Sequence, residues 1–467
     1  MFFNIINSGL RIGASTATIT DPRTRKPLYE VPVASTQDLD DAVKSARLAF
    51  SSWKHVPIDQ RQKVLLELAD KLDEHRCKIH QVLAKETGKS DLLANIEIDH
   101  TLKFLRFNAS QELPDEIQHE DAMLKIVSTY RPIGVVGAIC PWNFPLVLAA
   151  AKIAAALVTG NCIIVKPSPF TPCATLKFAE LAISVLPPGV LQALNGDNDL
   201  GRLITIHPGI DKVTFTGSTA TGRLVAANAA KTLKRVTLEL GGNDASIVCP
   251  DVDVKIVAQK IAAGVFFHSG QMCVATKRVY VHRDIFTEFR DAFVEAVRNI
   301  EIDVSGKLPT TFSPMQNELQ YNIVKSLIDD SRKNGYTLLR GDPSDEERLG
   351  FFIHPVVVDQ PPEDSKVIQV EQFGPIIPLS TWSSEVDVID RVNRVDTGLG
   401  SCVWAKDIGI AQRVARQLEV GTVWINSAEI PDPRGYFSGW KQSGIGGEWG
   451  KEGLRSYCHI QTIQLYK

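Results

Sequence analysis

Gly134-Val135-Val136-Gly137-Ala138-Ile139, closed by Pro141, is followed by Cys162-Ile163-Ile164-Val165-Lys166, closed by Pro167. Both runs are short and apolar nearly throughout. A strand without polar alternation is buried on both faces, as in a parallel sheet. Between the two runs, a helix is predicted through Ala149 to Leu157. Pro167-Ser168-Pro169 then turns the chain into a helix over Ala174 to Leu186. The pattern continues with a third strand at Val190–Leu194, a helix at Gly201–Ile206, a fourth strand at Lys212–Thr216, a helix at Thr221–Thr232 and a fifth strand at Arg235–Leu240. Strand–helix alternation of this length predicts an α/β fold whose parallel sheet is covered on both sides. Such sheets bind ligands at the carboxyl ends of their strands.

Outward from this block, residues 18 to 34 alternate around Asp-Pro and Lys-Pro turns and predict a hairpin. Helical periodicity runs from Thr36 to about Glu112, and Met123–Tyr130 reads as a strand. A second unit of the same style begins near Asn243. Its predicted strands are Asp244–Val248, Lys277–Val281 and Thr422–Ile425, with helices over 254–267 and 284–300. The boundary between units falls near Gly241-Gly242, so an active site in an interdomain cleft is expected. Ile460–Leu465 alternates weakly and reads as a strand destined for another sheet or subunit.

At 467 residues the chain exceeds one core, and about two or three domains are expected. A net charge of -3 without a basic block argues against a nucleic-acid partner. The 10 histidines are scattered and no metal site is expected. The 8 cysteines are scattered too, with no C-x-x-C pair, which suits a reducing compartment. The N-terminus lacks a basic region before an apolar run and is not a secretory signal. The most apolar stretch, Phe144 to Val158, is interrupted by Lys152 and too short to span a bilayer, so no stable membrane insertion is expected. The cytoplasm is the default location.

Several residues are candidates for chemistry. Cys273 ends His268-Ser269-Gly270-Gln271-Met272-Cys273. Two readings stand on local sequence: a small buried apolar residue, or a thiolate nucleophile in a turn with accessible amides. Glu239 ends an apolar strand before Gly241-Gly242 and is either a solvated strand end or a general base raised by an apolar site. Asn143, bracketed by Pro141 and Pro145, is either a helix cap or an oxyanion donor. Gly217-Ser218-Thr219-Ala220-Thr221-Gly222, between a strand and a helix, resembles a phosphate cradle without being a GxGxxG fingerprint. Lys166 ends a strand where a cation meets a ribose or phosphate, or simply solvent.

In order along the chain, Pro141-Trp142-Asn143-Phe144-Pro145, Lys166-Pro167-Ser168, Phe215-Thr216-Gly217-Ser218, Glu239-Leu240-Gly241-Gly242, Gly270-Gln271-Met272-Cys273, Glu371-Gln372-Phe373-Gly374-Pro375, Asn426 and Ser443-Gly444-Ile445-Gly446 resemble the aldehyde dehydrogenase superfamily. The likeness covers nearly the whole chain and fits the hydrolytic, non-acylating type. It implies an aldehyde dehydrogenase-like α/β fold: a variant Rossmann cofactor domain from 1–113 and 134–241, a catalytic domain over 242–434, a small β oligomerisation element from 114–133 and 454–467, and a returning segment over 435–453. A homodimer or homotetramer is implied.

The resemblance also implies roles. Cys273 attacks the aldehyde carbon, Asn143 and the Cys273 amide hold the oxyanion, and Glu239 activates water against the thioester. Lys152 and Glu448 carry the proton outward. Ile139, Trp142, Lys166, Ser168, Gly217, Ser218, Leu240, Gly241, Glu371 and Phe373 match cofactor-contacting positions. Phe144, Leu148, Ala151, Phe267, Met272, Val274 and Tyr436 match the substrate tunnel.

Departures from the family pattern bear on specificity. Pro169 stands where a glutamate that grips the adenosine ribose and repels a 2′-phosphate is common, which removes both a grip and a barrier; NAD stays the first expectation, with NADP or dual use the alternative. His268 stands where asparagine is common. Ala151 replaces a large aromatic, so the tunnel is expected to be apolar, wide, and suited to an aliphatic or aromatic aldehyde. Arg434 leaves room for an anionic semialdehyde. A CoA-acylating enzyme and a catalytically retired scaffold are the rival readings; the carboxylate at 239 argues against the first and the full set of Asn143, Glu239 and Cys273 against the second.

Overall fold

The computed structural model describes residues 1–340 and 350–467; residues 341–349, inside the stretch assigned to the catalytic domain, lie outside the described residues. Its first sheet has eight strands. Val135–Ile139, Cys162–Lys166, Leu191–Ala193, Lys212–Thr216 and Arg235–Glu239 run parallel at its centre. The first two are buried throughout, as their unbroken apolarity requires. Val135–Ile139 lies between Cys162–Lys166 and Lys212–Thr216, so the winding of the sheet reverses beside it. A crevice opens outside the strand ends at such a reversal. Register brings Ile139 level with Lys166 and Phe215, and Thr216 level with Glu239. The sequence pattern therefore delivers one row of strand ends.

Helix Pro145–Val158 starts four residues earlier than the apolar pattern from Ala149 predicts, with proline in its first turn. Every residue in it but Leu148 is buried, the state of a helix that is apolar all round. It packs against Asp91–Ala109, the last of four helices that fill Thr36–Ala109.

The second sheet has seven strands, six of them linked by parallel pairing. Besides the three predicted strands it contains Thr337–Arg340, Val356–Asp359, Ile376–Trp382 and Gly400–Trp404. The hairpin near the N-terminus forms from Ser15–Thr20 and Pro27–Val33. The final strand, Cys458–Tyr466, pairs along its whole length with Leu124–Pro132 and lies at the edge of a three-stranded sheet.

One late segment joins the two main sheets. Gly444–Ile445 pairs with Leu238 and Glu239 of the first sheet, while Trp440–Lys441 pairs with Thr397–Gly398 beside the second. Between them, Ser443 accepts from the Leu240 amide at 2.8 Å through its carbonyl, and its hydroxyl donates to the Gly241 carbonyl at 2.7 Å and accepts from Gly398 at 2.9 Å. Among the described residues no helix is long and apolar enough to cross a membrane.

Candidate active site

Cys273 is held by an unusual turn. His268, Ser269 and Gly270 are consecutive left-handed residues, with φ of 49°, 56° and 75°. The two non-glycine residues cost about 1–2 kcal/mol each in that conformation, so the surroundings must enforce it. They do: His268 donates its amide to Thr311 at 2.9 Å, Ser269 exchanges hydrogen bonds with Ser313, and the Gln271 side chain donates to His268 and Pro314 at 3.0 Å while accepting from Gln316 at 2.9 Å. Gly270 is required twice over, because a Cβ there would also meet the Gly374 carbonyl at 2.7 Å. His268 is buried against Phe144, its Nδ1 2.7 Å from the Ser313 hydroxyl; burial and then Lys89 hold its pKa well below the usual value, so the ring is neutral. It is a packing residue of the turn.

Asn143 is buried, and its side-chain amide donates to the Gln271 carbonyl at 2.9 Å. One amide hydrogen is thereby fixed on the nucleophile turn and the other is left for a ligand. The helix-cap reading of Asn143 is overturned. The cap position is Phe144, and the free amides of Leu146 and Val147 are met instead by Glu97 Oε1 at 2.9 and 3.3 Å. Glu97 is ion-paired with Lys89, which donates to the Asn143 carbonyl at 2.7 Å. This buried pair, absent from the sequence reading, locks the Asn143 turn. Its signal is a glutamate in line with Leu93 and Thr101 on the inward stripe of a helix.

Cys273 and Asn143 line one cavity of about 520 Å³. Phe144, Leu148, Ala151, Phe267, Met272 and Val274 line it as well, together with Phe104, Val147, Phe437, Trp449 and Glu429. Tyr436 does not. The chain bridges at Phe437–Glu448, which sends Phe437 inward to stack on Trp449 at 4.5 Å. Tyr436 is turned out, 44% exposed, against Gly447. Arg434 is also outside the wall, paired with Asp432 at 2.8 Å. The missed Glu429 is a buried carboxyl whose pKa is raised by burial, and it accepts from the Thr276 hydroxyl. A loop carboxylate gives no periodic signal, so sequence could not have found it.

Glu239 ends its strand on the sheet side of the site, outside that cavity wall. Both its oxygens are buried without a hydrogen-bond partner among the described residues. Burial raises its pKa well above the usual carboxylate range; Glu448 adds to this and Lys152 opposes it. Lys152 and Glu448 form a buried pair at 2.6 Å, bridged by the Thr214 hydroxyl at 3.3 and 2.5 Å. Burial pushes the Cys273 thiol up to about 12, with Lys277 opposing and Glu371, Asp244 and Glu239 reinforcing.

The row of strand ends supplies a second set of groups. Lys166 is buried, and among the described residues the one hydrogen bond of its ammonium is to the Pro167 carbonyl at 3.2 Å, leaving donors for a further acceptor. Burial lowers its pKa to about 8. Ser168 follows it, also buried. Gly217 donates to the Glu239 carbonyl at 3.0 Å, and Ser218 caps helix Thr219–Ala230, whose amino end faces the crevice side of the strand end. Across the cleft, Glu371 accepts from the Gly242 amide at 3.4 Å, and a Cβ on Gly241 would strike its carboxyl at 2.2 Å. The Phe373 and Trp142 rings meet edge to face at 5.4 Å. A buried cation, a helix amino end and a half-buried carboxylate fit the phosphates and ribose hydroxyls of a dinucleotide.

Residues 12–463 match the family model described as the aldehyde dehydrogenase family. The chain belongs to that family. Aldehyde dehydrogenase LUC3 of Fusarium sp. is 41% identical over 467 residues, covering 100% of this chain and 99% of that one. The NAD+ complex of an aldehyde dehydrogenase from Bacillus cereus superposes with a TM-score of 0.96 at 33% identity, covering 100% and 96%. The indole-3-acetaldehyde dehydrogenase of P. syringae superposes with a TM-score of 0.96 at 28% identity, covering 100% and 97%. The aldehyde dehydrogenase described here is thus an NAD(P)-dependent enzyme of the type that oxidises aldehydes to carboxylic acids.

Proposed function

We propose that this enzyme oxidises apolar aliphatic or aromatic aldehydes through a covalent intermediate on Cys273, with Glu239 as the hydrolytic base. The observation that carries the reading is the shared cavity wall: Cys273 stands beside Asn143, whose amide is fixed on the nucleophile turn with one hydrogen left over. The thiolate forms a bond to the aldehyde carbon, and the new oxyanion takes hydrogen bonds from the Asn143 amide and the Cys273 backbone amide. Bound NAD(P)+ supplies the hydride acceptor that turns this adduct into a thioester. Glu239 removes a proton from water as its oxygen bonds to the thioester carbon; the C–S bond breaks, the acid leaves and Cys273 regains its thiol. The Lys152–Glu448 pair lies in reach of the Glu239 charge to move that proton outward.

Lys166, Ser168, Ser218 and Glu371 hold the cofactor in this reading, with Ile139, Trp142, Gly217, Leu240, Gly241 and Phe373 shaping its bed. NAD is preferred, because no added cation accompanies Pro169 in the motif to favour a 2′-phosphate. The apolar wall suits aldehydes like that in the name of the P. syringae relative. Residues 1–113 and 134–241 form the cofactor domain, 242–434 the catalytic domain, 114–133 and 454–467 the oligomerisation element, and 435–453 the returning segment. The open edge of Cys458–Tyr466 pairs subunits into a dimer or a dimer of dimers, and the cytoplasm suits the eight free cysteines.

The test is an aldehyde panel assayed with NAD and NADP, with and without CoA, for the wild type and Cys273→Ala. Apolar aldehydes should be oxidised to acids without CoA, and Cys273→Ala should lose oxidation. Retained oxidation in that variant overturns the covalent reading; acyl-CoA as the main product overturns the hydrolytic one.

A further inference from the structure

Four residues beyond Cys273, Lys277 is 2% exposed. A lysine this deeply buried is normally paired with a carboxylate. Lys277 forms no salt bridge of 4 Å or less among the described residues. Its ammonium donates instead to the carbonyls of Met272 at 2.8 Å, Ala275 at 2.7 Å and Cys273 at 3.5 Å. All three ammonium hydrogens are therefore directed at the one turn that carries the nucleophile. The lysine itself is anchored, because its backbone amide donates to the Asp244 carbonyl at 2.8 Å. The Phe373 ring, 5.7 Å from the ammonium, covers another side.

A turn can be closed without a lysine; serine hydroxyls or backbone amides would satisfy these carbonyls with no buried charge. The charge needs its own explanation, and the thiol of Cys273 provides it. Four ionisable groups act on that thiol: Lys277 at the start of strand Arg278–His282, Asp244 before strand Ala245–Val248, Glu239 at the end of strand Arg235–Glu239, and Glu371 beyond helix Lys366–Gln369. Three of the four are acids. Lys277 is the one cation among them.

We propose that Lys277 is a positioning residue for Cys273, holding the nucleophile turn closed by its three carbonyls while its charge favours the thiolate. The inference rests on Cys273 being the nucleophile, as proposed above. Burial and the neighbouring acids raise the thiol, and Glu239 and Asp244 are themselves held well above their usual values by burial. The ammonium is the one group of the four that opposes burial and the acids, so it holds the thiol below where the same burial would leave it without the lysine. The family resemblance assigns no part to this position. A lysine at the head of a strand otherwise reads as a solvated residue.

The experiment follows alkylation of the full-length protein by iodoacetamide as a function of pH, with peptide mapping to read modification at Cys273 itself. Lys277→Met and Lys277→Gln remove the charge; Lys277→Arg retains it. For the two neutral variants the midpoint of Cys273 alkylation should move up by about one pH unit, which is about a tenfold slower reaction at any pH below it. Lys277→Arg should keep the midpoint of the wild type. If Lys277→Met does not fold, as judged by circular dichroism and thermal melting, Lys277→Gln keeps one amide donor for the turn and gives the same comparison. Neutral variants with a wild-type profile overturn the proposal. So does an arginine variant shifted as far as they are, since packing and not charge would then set the midpoint. The readout does not depend on turnover: oxidation surviving in Cys273→Ala would sink the nucleophile reading, while the alkylation profile would still decide what Lys277 does to the thiol.

Discussion

Replacing Glu239 with glutamine bears hardest on the proposed chemistry, because it changes rate and stability in ways that separate. Both carboxyl oxygens are buried without a partner among the described residues. Burial, then Glu448, holds the group well above its usual value, against Lys152. The folded protein therefore keeps the Glu239 proton at pH values where the unfolded chain has released it. Stability must fall as pH rises from the unfolded value of 4.5 toward the folded one. The slope is about 1.4 kcal/mol per pH unit while the folded group stays protonated. Glutamine does not ionise, so the variant escapes this loss. Its amide is buried without a partner at a cost of about 1–3 kcal/mol. That cost is the same at every pH, and it cancels when the difference between variant and wild type is compared at two pH values. Urea unfolding at about pH 5 and about pH 6.5 should show the variant gaining up to about 2 kcal/mol on the wild type over that interval. In kinetics, acid release should slow by about 10²–10⁴-fold. The first turnover should still deliver a burst of reduced cofactor. A stability difference that is flat with pH, or steady-state turnover equal to the wild type, would refute the reasoning.

Three further substitutions probe the rest of the site. Asn143→Ala should lower kcat by about 10²–10³-fold, the usual loss for one oxyanion donor, while leaving cofactor binding intact by fluorescence titration; an unchanged kcat would remove Asn143 from the mechanism. Ala151→Trp places a large ring in a cavity of about 520 Å³, so kcat/KM for aromatic aldehydes should drop while that for acetaldehyde holds, and parallel loss of both would contradict a tunnel at this position. Glu448→Ala leaves the Lys152 ammonium with the Thr214 hydroxyl at 3.3 Å and should destabilise the protein by about 3–5 kcal/mol. The double variant Lys152→Met, Glu448→Leu should recover most of that in urea unfolding, since it removes both buried charges; equal losses in the two would show that packing, not charge, is at stake.

The cofactor sheet was legible because burial on both faces writes itself as continuous apolar sequence. Val135–Ile139, Cys162–Lys166 and Lys212–Thr216 match their predicted spans to within one residue. The second sheet hid four of its seven described strands. Ile376–Trp382 carries Pro378, yet it pairs on both sides, with Val356–Asp359 and Arg278–His282. Proline in a central strand argues against the strand. Gly400-Ser401 at the head of Gly400–Trp404 likewise reads as a turn. Within the site, Cys273, Glu239 and Asn143 stood out through motifs in order along the chain. Lys89, Glu97 and Lys277 did not, because a buried charge takes its meaning from partners that folding supplies; the Lys89 ammonium reaches the carbonyl of a residue 54 positions away. Tyr436 and Phe437 show the finest limit. They are adjacent aromatics, and only the pairing of Phe437 with Glu448 decides which one enters the cavity.

The late segment that joins the two sheets sets the order in which a new chain becomes an enzyme. Ser443 follows Gly241 by 202 residues, and Glu448 follows Lys152 by 296. Domains fold as units while synthesis proceeds at about 5–20 residues per second, so Glu239 and Cys273 both exist for about 9–34 seconds before the serine that ties their sheets together is made. Until Glu448 is made Lys152 lacks the carboxylate it pairs with, and until Ser443 is made the hydrogen bonds that tie Leu240 and Gly241 to Gly398 cannot form. A ribosome-bound chain thus carries the proposed nucleophile and base before the contact that fixes one sheet against the other.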